Sequence, residues 1–252
     1  MIKAPIRYYG GKGTMIKELL KYFPEEGSYT RYLDAFGGSG VVLLNKPQVP
    51  VEIYNDLDKN VYSLFKVLRD PNSFCEFKGL CDISLYDEAT SDDFLERLKN
   101  PNLSLVARAY YFWYVNHTRY NGNINSGFSI NNLERRNTSK AISDFLSSVE
   151  GLNELHSRLK NVIITNENAL TLLTRLDNPG FMFYIDPPYL NRKSNTKYPV
   201  DMSLTEHQRL VEILNHLKYA KYLLSGYEND VYCGLNAEKI NMKGQEFLWK
   251  NY

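Results

Sequence analysis

The chain has 252 residues, 43% of them apolar and 23% charged, with a formal net charge of +1. That length supports one large domain, or one domain with a sizeable insertion, and the composition excludes disordered and fibrous classes. No apolar run is long enough to span a bilayer, the N-terminus lacks the apolar core of a signal peptide, and three scattered cysteines (Cys75, Cys81, Cys233) form no metal-binding pattern. The expectation is a cytoplasmic chain with no membrane association and no metal. A charge near zero neither demands nor excludes nucleic acid, because basic residues gathered on one face suffice to bind it.

In chain order, residues 14–23 have helical spacing, with Thr14 as the cap. Residues 31–36 read as a strand running into Gly37-Gly38-Ser39-Gly40, and a short helix starts at Val41. A strand over 51–56 and a helix over 59–69 follow, which is βαβ punctuation and predicts a parallel sheet. Residues 71–159 differ in texture, with polar loops, helices at 92–99, 104–115 and 143–160, and a Gly/Asn/Ser-rich stretch from 121 to 132. The alternation then resumes: strand 161–166, helix 168–176, strand 181–186, helix 204–218, strand 221–225 and a last strand from 246 to 252. The simplest organisation is one α/β domain, residues 1–70 and 160–252, with a mostly helical insertion at 71–159.

The most informative stretch is Phe-Met-Phe-Tyr-Ile-Asp-Pro-Pro-Tyr at 181–189. The prolines cannot continue a central strand, so Asp186, Pro187, Pro188 and Tyr189 fall at the carboxyl end of a buried one. That edge is where open α/β sheets bind ligands. Asp186 and the Pro187 carbonyl can accept the two hydrogens of an exocyclic amine while Tyr189 stacks on the ring, a pattern suited to methyl transfer to that amine. Alone, the tetrad reads equally as a strand followed by a Pro-Pro turn.

Other motifs leave alternatives open. Phe36 and the glycines Gly37, Gly38 and Gly40 lie between a strand and a helix, where glycine permits a tight turn and close ligand approach. A dinucleotide loop is a distant second reading, since the full Gly-x-Gly-x-x-Gly spacing is missing. Asp56, about 20 residues further on, suits the hydroxyls of a ribose, or else a helix cap shared with Asp58. Tyr8-Tyr9-Gly10-Gly11-Lys12 precedes a helix without P-loop spacing. No nucleophilic triad is apparent around Ser39 or Ser225, and His156, His207 and His216 read as structural or exposed.

Taken together, Tyr8…Gly10-Gly11-Lys12, Asp34-Ala35-Phe36-Gly37-Gly38-Ser39-Gly40, Asn55-Asp56, a long insertion and Asp186-Pro187-Pro188-Tyr189 resemble the Dam-like (class alpha) DNA adenine-specific methyltransferases. The segments from Asp186 to Tyr198, Leu224-Ser225-Gly226-Tyr227 and Glu246-x-x-Trp249-x-Asn251-Tyr252 are similar to that family's ending, so the resemblance spans nearly the whole chain. It implies a Rossmann-like S-adenosylmethionine-dependent methyltransferase sheet with an inserted target-recognition domain, working on double-stranded DNA, with a monomer as the expected form. S-adenosylmethionine would be held by Tyr8, Gly11, Lys12, Asp34, Phe36, Gly38, Gly40, Asp56 and Asp186. Asp186 to Tyr189 would hold an adenine flipped from the stack.

Asn116-His117-Thr118-Arg119-Tyr120-Asn121-Gly122 resembles the start of the family's recognition segment. Arg119 is a candidate for a phosphate or guanine edge, Tyr120 for a wedge into the stack, and Arg135, Arg136 and Lys140 for backbone contacts, with a solvated surface as the plain alternative. Asn116 and Asn121 complete the candidate DNA-binding set. The aromatic helix around Tyr110, Tyr111, Phe112 and Trp113 reads as core. Two departures stand out: Asn168 where the family often has an acid, and a short Asn125–Asn131 segment where GATC-specific members carry a longer one. The resemblance therefore does not imply GATC as the target.

Overall fold

Residues 1–8, 10–190, 200–242 and 246–252 are described by a computed structural model. The elements in chain order are α1 (Ile16–Leu19), β1 (Arg31–Asp34), α2 (Val41–Asn45), β2 (Val51–Asn55), α3 (Lys59–Arg69), α4 (Pro71–Asp82), α5 (Glu88–Arg97) and α6 (Leu105–Thr118). There follow β3 (Glu134–Arg135), β4 (Thr138–Ser139), α7 (Lys140–Glu150), α8 (Leu152–Leu159), β5 (Val162–Thr165), α9 (Ala169–Arg175), β6 (Phe181–Ile185), α10 (Leu204–His216), β7 (Lys221–Tyr227), β8 (Glu238–Asn241) and β9 (Glu246–Lys250). None of the described helices is long and apolar enough to cross a membrane. The chain divides into two compact units: Met1–Gly13, Gly38–Asn45 and Lys59–Val162 form one, and Thr14–Gly37, Lys46–Asp58 and Ile163–Tyr252 the other.

The second unit is built on a seven-stranded sheet in the order β5-β2-β1-β6-β7-β9-β8. Pairings β1–β2, β1–β6 and β6–β7 are parallel; β7–β9 and β8–β9 are antiparallel. This is the mostly parallel sheet that the alternating punctuation predicts, in the Rossmann-like form that the resemblance implies. All five residues of β6 are buried, as a central parallel strand covered on both faces requires. Leu33, Ile53, Phe183 and Ile185 pack with Leu172 and Leu173 of α9, Leu210 and Leu214 of α10, and Trp249 of β9. Strand order reverses around β1, so the crevice at the carboxyl ends of β1 and β6 is the topological switch point of the sheet. Helix α10 begins with a full capping box, Ser203 with Glu206, which fixes where the helix starts.

In the first unit α3 and α5 pack along α6. Helix α3 buries Val61, Leu64, Phe65, Val67 and Leu68. The aromatic run of α6 is core, as its pattern predicts, except for the half-buried Tyr111: Trp113 meets Phe77 edge-on at 6.0 Å and Phe145 at 5.3 Å.

Several elements differ from expectation for local reasons. The helix at 14–23 is reduced to α1 flanked by short 3-10 turns, and its N-cap is Met15 rather than Thr14. Phe23 precedes a proline and is extended, which ends the helix there. Helix α4 arises where only loop was expected, although Asp70 caps it and Pro71 occupies its first turn. The helix expected at 143–160 is two helices meeting at Gly151. Strand β8 is almost wholly exposed, so it carries no alternating pattern to read. The β3–β4 turn has both central residues, Arg136 and Asn137, at positive φ (53° and 58°), the geometry of a tight hairpin.

Candidate functional site

At the carboxyl edge of the sheet, one side chain ties three strand ends together. Asn55 is 1% exposed. Its Nδ2 donates to the carbonyls of Ala35 and Glu167, both at 3.0 Å, and its Oδ1 accepts from Glu167 N and Thr165 Oγ1, both at 2.9 Å. The backbone of Asn55 also accepts from Gly37 N at 2.7 Å. Glycine at 37 is obligatory for packing, because a Cβ there would lie 2.1 Å from Cε2 of Tyr54.

Asp34, at the end of β1, is buried, and its charge helps raise the phenol of Tyr32, after burial itself. Asp56 follows β2 and is also buried; its Oδ1 accepts from Asp58 N at 2.8 Å in a local turn, and its carbonyl accepts from Asn166 Nδ2 at 2.7 Å. Asn168, the departure from the family's acid, caps α9 by accepting from Leu170 N and Thr171 N.

Asp186 lies just beyond β6 and is half-buried. Ser225 Oγ, on β7, donates to Asp186 Oδ1 at 2.7 Å and sits 3.2 Å from the Tyr184 hydroxyl. Tyr189 is buried, its ring edge-on to Tyr227 with centroids 4.7 Å apart. Burial first, then the Asp186 charge, pushes the Tyr189 phenol well above its usual range, so it stays protonated at neutral pH. Asp34, Asp56 and the Asp186–Tyr189 corner therefore share one sheet edge, with Phe36 half-buried beside Asp34 in sequence.

In the other unit, Tyr8 and Gly11 close a turn through Gly11 N and Tyr8 O at 3.1 Å. The Tyr8 ring lies against Gly38, where a Cβ would approach Cδ1 to 2.9 Å; Gly38 and Gly40 have φ of +50° and +68°. Lys12 is buried, and its Nζ donates to Gly10 O at 3.0 Å. Tyr9 lies outside the described residues, as does 191–198 of the Asp186-to-Tyr198 match.

The candidate DNA residues divide by burial. Asn116 is buried and brackets the backbone of Arg7 and the carbonyl of Gly122. Arg119 is turned inward, donating to Ser126 O and to Asp92. Tyr120 is 63% exposed, and Asn121 is exposed with φ of 52°. Arg135 and Lys140 both reach Asp144 at 2.7 Å, and Arg7 joins them at 3.2 Å. Burial works to raise Asp144, but Lys140, Arg7 and Arg135 together hold its carboxyl below the usual range. Arg136 lies 3.9 Å from Glu150.

The parts played by Asn55, Ser225 and Asp144 were not legible in the sequence, although Asn55 and Ser225 fall within recognised motifs. No group of three or more His, Cys, Asp or Glu able to hold a metal occurs among the described residues.

Against known proteins, the family model described as D12 class N6 adenine-specific DNA methyltransferase matches residues 8–243. No curated protein matches. Among solved structures, a putative methyltransferase (yhhF) from Escherichia coli is 12% identical, covering 98% of this chain and 89% of its own, with a TM-score of 0.42. An rRNA methyltransferase (aviRa) from Streptomyces viridochromogenes is 14% identical, covering 94% of this chain and 82% of its own, with a TM-score of 0.41. Likenesses at that level carry no argument about activity.

Proposed function

Since the chain belongs to the D12 class of N6 adenine-specific DNA methyltransferases, we propose that it transfers a methyl group from S-adenosylmethionine to the exocyclic N6 amine of an adenine flipped out of duplex DNA. The observation that carries this reading is the hydrogen bond from Ser225 to Asp186 at the end of β6. It gives one carboxylate oxygen a fixed direction while Asp186 stays half-exposed. The Asp186 carboxylate and the Pro187 carbonyl then accept the two amine hydrogens. Accepting both orients the amine and raises electron density on its nitrogen, so the catalysis is positioning and electrostatics. Tyr189 and Pro188 form the wall beside the base.

The donor set suits the cofactor. S-adenosylmethionine presents an ammonium, two ribose hydroxyls and a sulfonium, and supplies an electrophilic methyl group when bound. Asp34 and Asp56 are buried carboxylates suited to the ammonium and the hydroxyls. Phe36, Asp186, Tyr8, Gly11, Lys12, Gly38 and Gly40 complete the proposed cofactor residues. The segment 71–159 is proposed to read DNA. Tyr120, Asn121, Arg135, Arg136 and Lys140 would touch it, while Asn116 and Arg119 hold the loop that carries Tyr120. Arg7, Arg135 and Lys140 share the single carboxylate of Asp144, and that excess of positive charge suits phosphate.

The test is transfer of radiolabelled methyl to unmethylated duplex DNA, with nucleoside analysis of the product. Label in N6-methyladenine, abolished by Asp186→Ala, is the expected result. Label in methylcytosine, or no label in the DNA, overturns the substrate.

A further inference from the structure

Within the sheet unit, a buried histidine adjoins the Asp186–Tyr189 corner and has no part in the chemistry above. His207 lies in the first turn of α10 and is 0% exposed. Its Nδ1 is 2.8 Å from the hydroxyl of Tyr232. Tyr232 is itself buried, with its ring edge-on to Trp249 at 5.2 Å. Gly226 admits that ring, since a Cβ there would lie 3.0 Å from Cε2 of Tyr232.

From Tyr232 a chain of contacts returns to the tetrad. Tyr232 N donates to Asn229 Oδ1 at 3.0 Å, Asn229 Nδ2 donates to Tyr227 O at 3.0 Å, and the Tyr227 ring meets Tyr189. The opposite end of the imidazole also leads there. Nε2 is buried and makes no hydrogen bond among the described residues. The backbone of Pro188 nonetheless acts on the ring, raising its basicity against the larger, lowering effect of burial.

Proline has no backbone N–H, so Pro188 can only accept. With Nδ1 against the Tyr232 hydroxyl, a donation to the Pro188 carbonyl would have to come from Nε2, in the Nε2–H tautomer. Nδ1 is then a lone pair, and the Tyr232 hydroxyl is the donor. A polar ring so deeply buried is costly unless its nitrogens are used, and Nδ1 is held by the Tyr232 hydroxyl.

We propose that His207, through Tyr232 on one side and the Pro188 carbonyl on the other, is a positioning residue that holds the Pro188–Tyr189 corner in the geometry the target base requires. Its consequence for turnover rests on the adenine reading above; its structural content does not.

The test compares His207→Phe, Tyr232→Phe and His207→Gln with the wild-type protein. Tyr232→Phe keeps the ring packing and deletes only the hydroxyl, so it serves if His207→Phe does not fold. Glutamine replaces the Nε2 donor and is the rescue. Two measurements are made: kcat and KM for methyl transfer, and amide hydrogen exchange at Tyr189 and Leu190 in the protein without substrate. Both phenylalanine variants should lower kcat on the order of 10- to 100-fold with KM for S-adenosylmethionine unchanged, as expected for misplaced reacting groups. Glutamine should recover most of that loss. Exchange at Tyr189 and Leu190 should quicken about tenfold, while Phe181–Ile185 of β6 stays protected. Unchanged exchange in folded variants overturns the proposal, and so does faster exchange with undiminished kcat. If the wild-type protein labels no adenine, the functional reading falls and the exchange measurement alone decides the positioning role.

Discussion

Replacing Asn55 with alanine removes a side chain that makes four hydrogen bonds at the sheet edge, to Ala35 O, Glu167 O, Glu167 N and Thr165 Oγ1. Thr165 keeps a second partner in Tyr54 O at 3.3 Å, so its loss is softened. The remaining three are backbone groups, and each bond contributes about 1 kcal/mol net, more where the abandoned group stays dry. The total is about 3–4 kcal/mol. In a chain of this size about 1 kcal/mol lowers Tm by roughly 2–4 °C, so the variant should melt roughly 6–16 °C below wild type. Asn55→Asp keeps the acceptor but sets a carboxylate oxygen against two carbonyls, and should be at least as damaging at neutral pH. Thermal unfolding followed by circular dichroism measures both. A fall of less than about 2 °C for Asn55→Ala would refute the claim that this residue staples the strand ends.

Ser225→Ala removes a short hydrogen bond to a carboxylate, about 1.5–3 kcal/mol; methyl transfer should slow roughly 10- to 100-fold, and a change within about threefold, under 1 kcal/mol, contradicts the proposed orientation of Asp186. His117 is lowered to about 4, mainly by burial, with Arg7 adding to it and the Pro5 carbonyl and Asp144 opposing. The unfolded chain therefore binds more protons between pH about 6.5 and about 4, so stability should rise with pH across that window. Urea midpoints from pH 4 to 7 should fall more steeply on acidification for wild type than for His117→Gln, and parallel curves would refute it.

How much of this was legible varies by element. Helix α3 was bounded at both ends by its pattern, and β6 was visible from an apolar run stopped by two prolines. The start of α4 was readable from Asp70 and Pro71, which are local signals, yet only the structure drew attention to them. The end of the helical run after Tyr22 follows from Pro24 acting on Phe23. Strand β8 had no signal at all, since it is an exposed edge defined by pairing with β9.

By itself the sequence determined the alternating class of the fold, the strand that ends in Asp-Pro-Pro-Tyr and the family to which the chain belongs. Burial, capping and strand termination depend on neighbours a few residues away, so they are written locally. Tertiary structure alone decided which side chains hold the site. Ser225 reaches Asp186 across 39 positions, and Asn55 reaches Glu167 across 112. It also turned Arg119 inward to Ser126 and Asp92 and joined His207 to Tyr232. Those pairings depend on sheet register and helix placement, which no local window of the chain records.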